Sequence, residues 1–161
     1  MADEREMQQA QAVYEVFCNA LKEDDWSFEP MDDQLSLSLG VKGKNLNIDL
    51  GIIVNEKRQT VTVGYALPFE VIEDRRMEMA IAVCMANSKV ACGLFDYDIS
   101  DGTILFRLVH CFNDCPFTKD LARTLIGKAC SSVDHYYDRL RALGTGVIDL
   151  ERFLELESKD E

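Results

Sequence analysis

Positive charge is scarce in this chain. Its 17 lysines and arginines are set against 29 aspartates and glutamates, a formal net charge of −12. Such a surface repels phosphodiester backbones and anionic lipid, which argues against nucleic acid and membrane as main partners and suits basic ones. No apolar run approaches the ~20 residues that cross a bilayer. The opening residues Met1 to Glu6 hold neither a basic region nor an apolar signal core, so a cytoplasmic location is expected. No Gly-rich phosphate loop, nucleophile elbow or His-Glu-x-x-His motif occurs. Internal repeats, long linkers and low-complexity segments are also missing. At 161 residues, a single domain over 1–161 is expected, large enough for a real core. Its 147–161 segment reads as a short amphipathic piece (Val147, Leu150, Phe153, Leu154). That piece runs into a solvated acidic end, with Glu155, Glu157, Asp160 and Glu161.

Cys-x-x-Cys, the usual mark of a structural zinc site, is absent too. Six cysteines are present, and a cytosolic chain keeps them reduced. Cys84 and Cys130 lie in apolar helical stretches and read as small core hydrophobes. Cys111 and Cys115 are four residues apart, with Cys92 and His110 as further donors. The alternative reading that follows is a small metal- or thiol-dependent enzyme using the Cys92/His110/Cys111/Cys115 region. A thiol nucleophile there would need a third, orienting group, and the sequence identifies none. Asp96, Asp98 and Asp101-Gly102 are spaced one residue too long for a calcium loop, and the distal glutamate is missing. They read as outward strand residues and a turn. His110 falls on an apolar strand face. His135, beside Asp134 and Asp138, falls on a wet helix flank.

Periodicity supplies the elements. A helix is expected over about Glu4 to Lys22, on the spacing of Ala10, Val13, Tyr14, Phe17 and Leu21. A short strand at Trp26-Phe28 ends at Glu29-Pro30. Strict alternation marks Leu35–Val41, Leu46–Val54 and Val61–Leu67 as an antiparallel meander with one polar face. A second helix covers about Glu73 to Val90. Met77, Ala80, Ile81, Cys84 and Asn87 share one face, while Met79, Ala82, Val83, Met85 and Ala86 make nearly its whole circumference apolar. Such a helix is buried on more than one side, by the sheet and by either its own domain or a partner subunit. Strands follow at Phe95–Ile99 and Ile104–Phe112. The second carries Leu105, Arg107, Val109 and Cys111 on its other face, as a central strand or a partner-facing one would. A long helix from the Thr118 N-cap to Leu143 stops at Gly144-Thr145-Gly146. The expected architecture is α+β, an antiparallel sheet with helices on one face in the order α-β(β)ββ-α-ββ-α. The apolar surplus makes Met79, Val83, Leu105 and Val109 the candidate partner-binding residues.

This order resembles the fold of type III secretion chaperones. The segment from Met85 to Leu108 is similar to the bacterial YbjN family of sensory-transduction regulators. Three features carry the likeness: Asn87 near the helix end, the Gly93-x-Phe95-x-Tyr97 strand, and the Asp101-Gly102-x-Ile104-x-Phe106 hairpin. The resemblance implies a secretion-chaperone-like domain, often dimeric, with no catalytic residues to carry over. The expected function is a non-enzymatic protein- or peptide-binding module, chaperone-like or regulatory, acting as a homodimer without a cofactor. It would bury an apolar segment against the sheet or the second helix. Strand addition could extend this at an edge, Leu35–Val41 or Trp26–Phe28.

Overall fold

A computed structural model of the chain describes residues 3–159, so that Met1, Ala2, Asp160 and Glu161 of the acidic ends lie outside the described residues. Helix α1 spans Glu4–Glu23 and starts at a capping box. The Asp3 carboxylate accepts the Glu6 N–H at 2.8 Å, and the Glu6 carboxylate accepts the Asp3 N–H at 2.8 Å, which satisfies two orphan donors of the first turn. Six strands follow the alternation in the sequence: β1 Phe28–Met31, β2 Ser36–Lys42, β3 Asn47–Asn55, β4 Thr60–Ala66, β5 Leu94–Asp98 and β6 Thr103–Cys111. They form one antiparallel sheet in the order β1-β2-β3-β4-β6-β5. Helices α2 Arg76–Lys89, α3 Lys119–Gly144 and α4 Leu150–Ser158 complete the fold. The helices lie on one face of the sheet, as the α+β reading requires. That face carries Leu37, Leu39, Ile48, Leu50, Ile52, Val61, Val63, Phe95, Ile104, Phe106 and Leu108, all buried against α1, α2 and α3.

Local chemistry fixes the β5–β6 hairpin. Gly102 has φ +86°, and a Cβ there would stand 2.5 Å from the Val71 carbonyl oxygen, so only glycine turns the chain at this point. Asp98 accepts from the Ser100 N–H at 2.9 Å and Asp101 accepts from the Thr103 N–H at 2.8 Å. These carboxylates serve the turn, as the strand-and-turn reading of the Asp96–Gly102 segment expected. The Ser100 hydroxyl and amide hold Asp98 below the ordinary carboxylate range.

Four sequence expectations change. Pro30 does not end the first strand but lies within β1, paired with Leu37. Proline is tolerated there because β1 is an edge strand. Leu35–Val41 is not an edge, since β2 pairs with β1 and β3. On α2 the two apolar faces exchange roles. Met79, Ala82, Val83 and Ala86 are the buried set, spaced i, i+3, i+4, i+7, whereas Met77 is 71 % exposed and Ile81 49 %. Met79 and Val83 therefore belong to the chain's own core and do not face a partner. Glu157, finally, is not solvated. It is buried at 1 % exposure on the inner face of α4, its carboxylate accepts from Arg139 Nη1 at 2.6 Å, and its carbonyl accepts from Lys89 Nζ at 2.6 Å.

Candidate binding surface

The face of the sheet away from the helices is uncovered. Its outward residues fall in rows that cross the strands, because paired positions stand side by side. One row runs Ser36, Ile53, Thr62, Val109 over β2, β3, β4 and β6. The next runs Ser38, Gly51, Gly64, Arg107 and on to Leu94 of β5. A third holds Gly40 and Asp49 at one side and Ala66, Leu105 and Asp96 at the other. The middle row has no side chain on two adjacent strands, because Gly51 pairs with Gly64. The result is a trough floored by Gly51 and Gly64, with Ile53, Thr62 and Val109 on one wall, Ala66 and Leu105 on the other, and Ser38 of β2 and Arg107 of β6 at its ends.

Three clefts lie along this face and share lining residues. The central one, of about 300 Å³, is lined by Gly51, Ile53, Thr62, Gly64, Leu105 and Arg107 among others. A second, of about 400 Å³, opens toward β1 with Glu29, Ser38 and Gly40, and shares Asp49 with the first. A third lies over the β5–β6 hairpin with Asp96, Asp98 and Ile99 and shares Leu105.

Apolar side chains stand exposed here. Ile53 is 54 % exposed, Val109 46 % and Leu105 40 %. Branched aliphatics so placed on a formed sheet are not core, and contiguous exposed apolar surface marks interaction sites. Arg107 is held by Asp96 through Nε at 2.7 Å and Nη2 at 3.3 Å, which raises the guanidinium pKa and neutralises the pair. Asp49 has no hydrogen-bond or ion-pair partner among the described residues.

Of the four residues expected to bind a partner, the structure brings Leu105 and Val109 to this surface and puts Met79 and Val83 in the core on the other side of the sheet. Ile53, Gly51 and Gly64 were missed. Their signal was present as two glycines inside strands at positions that pair, where glycine weakens a strand and marks close approach of another group. Neither glycine is demanded by the fold. A Cβ on Gly51 would meet nothing nearer than 3.9 Å, and one on Gly64 nothing nearer than 3.4 Å.

The cysteine–histidine set does not assemble. His110 and Cys111 are neighbours on β6, so their side chains leave opposite faces of the sheet. His110 packs edge-on against Phe117, with ring centroids 5.9 Å apart, while Cys92, Cys111 and Cys115 are exposed. Among the described residues, no group of three or more His, Cys, Asp or Glu side chains could hold a metal ion. Nor is any described helix long and apolar enough to cross a membrane. Cys84 is exposed on α2 and is not the core residue expected, and Cys130 is half-buried.

The free edge of β5 is capped at Phe95 from within. Asn87 Nδ2 donates to the Phe95 carbonyl at 3.0 Å, and the Phe95 N–H donates to Asn87 Oδ1 at 2.7 Å. The side-chain amide takes the place of a neighbouring strand.

No family model matches the chain, and no curated protein is detectably similar in sequence. Among solved structures, the fold is similar to the crystal structure of YbjN, "a putative transcription regulator from E. coli". The TM-score is 0.54 at 11 % identity, over 76 % of this chain and 89 % of that one. At that identity the likeness is one of fold.

Proposed function

We propose that the chain is a non-enzymatic module of the YbjN kind, regulatory or chaperone-like, that binds a protein or peptide on the open face of its sheet. The observation that carries the proposal is the set Ile53, Leu105 and Val109, exposed beside a trough floored by Gly51 and Gly64. The expected homodimer then rests on the outer stripe of α2, Met77, Ile81 and Met85, in place of Met79 and Val83. Helix stripe and sheet face are separate surfaces, so dimerisation leaves the trough free.

Replacing Ile53 and Val109 with Asp tests the reading. Aspartate is disfavoured in strands by up to about 1 kcal/mol per site, so a thermal melt checks that the double variant stays folded before binding is read. The wild type is expected to retain a stoichiometric partner through purification from native lysate, and I53D/V109D to lose it. I81D is expected to keep that partner while light scattering shows a monomer. A partner retained by I53D/V109D but lost from I81D would place binding on the helix and overturn the proposal.

A further inference from the structure

Resting on the reading that the open sheet face binds protein, we infer that its occupant is a basic amphipathic α-helix lying across the strands. Three observations converge. The first is direction. The trough follows the row Ser38, Gly51, Gly64, perpendicular to the strands. An added strand would run along an edge, where Asn87 already occupies both backbone groups of Phe95 on β5 and Pro30 offers no N–H on β1.

The second is width. The wall positions stand two residues to either side of the floor along each strand, so at ~3.3 Å per residue their Cα atoms are about 13 Å apart, and the wall side chains narrow the gap to what the apolar stripe of a helix fills. An α-helix with its side chains measures about 10–12 Å across. With no Cβ on Gly51 or Gly64, a helix can settle onto backbone while its apolar stripe meets Ile53 and Val109 on one wall and Leu105 on the other.

The third is charge. Carboxylates around the three clefts are Glu29, Asp49, Asp96 and Asp98, against the single cation Arg107, which Asp96 already holds. Asp49 sits unpaired in the lining of two of the clefts and fits a lysine or arginine on the flank of the helix. A second copy of this chain seated face to face on the sheet would bring the same carboxylates, so like charges would face each other.

A fluorescently labelled leucine–lysine amphipathic helix of about 20 residues, roughly 30 Å long, spans the sheet and serves as the probe for the full-length chain. A sequence-scrambled peptide of identical composition controls for charge alone. The wild type is expected to bind the helix at least about tenfold more tightly than the scramble, a difference of ~1.4 kcal/mol. G51T/G64T fills the floor with residues that favour strands, so it is expected to melt no lower than wild type and to lose the helix by about tenfold or more. D49N is expected to weaken binding severalfold and to flatten its salt dependence. Equal affinity for helix and scramble, or full affinity in a folded G51T/G64T, overturns the inference. If I53D/V109D still sheds the native partner in that case, the binding face stands and only the helical occupant is wrong. If it keeps the partner, both fail.

Discussion

Burial divides the six cysteines into two groups with different chemistry. Cys18 is buried and Cys130 half-buried, and loss of solvation pushes both thiols up, Cys130 to about 11 with a further push from Asp134. Cys84, Cys92, Cys111 and Cys115 are exposed. The thiolate is the reacting species, so a maleimide at neutral pH is expected to modify these four at least about tenfold faster than Cys18 and Cys130. Peptide mapping of a time course checks this. Cys130 reacting as fast as Cys111 would mean that α3 opens around it. The same residues show where sequence spacing misleads. Cys111 and His110 are adjacent in the chain, yet a strand sends neighbours to opposite faces, so proximity in sequence assures divergence in space. Glu157 was read with the acidic end because a carboxylate near a terminus is ordinarily solvated. Only the fold brings Arg139 of α3 within 2.6 Å and lets the charge be buried.

Elements with one dry face were legible, and those with two were not. Strands β2, β3, β4 and β6 alternate cleanly, because a sheet covered on one side demands a period of two. Helix α3 was likewise set by one stripe, from Leu125 to Leu143. Helix α2 is apolar on nearly every side, so the helical period selects no face. Packing against β5, α3 and α4 decides that Met79 and Val83 go in and Met77 and Ile81 stay out. Asn87 was visible as part of a resemblance, but its task was not. It ends the sheet by pairing with both backbone groups of Phe95. N87A leaves those groups without their partner at an edge, with an expected cost of about 1–3 kcal/mol. Thermal melting should fall accordingly, and amide exchange at Phe95 should accelerate. An unshifted melt with unchanged exchange would show that water replaces the amide at no cost. Pro30 guards the opposite edge by a different means, since it offers no N–H to an incoming strand.

At the scale of the whole molecule, helices cover one face of the sheet and leave the other open. The covered face explains stability: one continuous core runs from Ala10 of α1 to Phe153 of α4. The open face has no such explanation, because exposed Ile53, Leu105 and Val109 and paired glycines contribute little to a monomer's stability. The fold it shares with YbjN sets the layers without setting what binds there. Net acidity adds a selection rule of its own. Binding of a cationic partner should weaken as salt rises, since the attracting carboxylates are solvent-exposed and screened within about 10 Å at 0.1 M. The most direct test of the account is a methyl NMR spectrum of the full-length chain, with Ile, Leu, Val and Met labelled, titrated with the leucine–lysine helix. The account predicts that the resonances of Ile53, Leu105 and Val109 shift while those of Met77, Ile81 and Met85 stay fixed. Shifts confined to the α2 methionines and Ile81, with the sheet methyls unmoved, would contradict it.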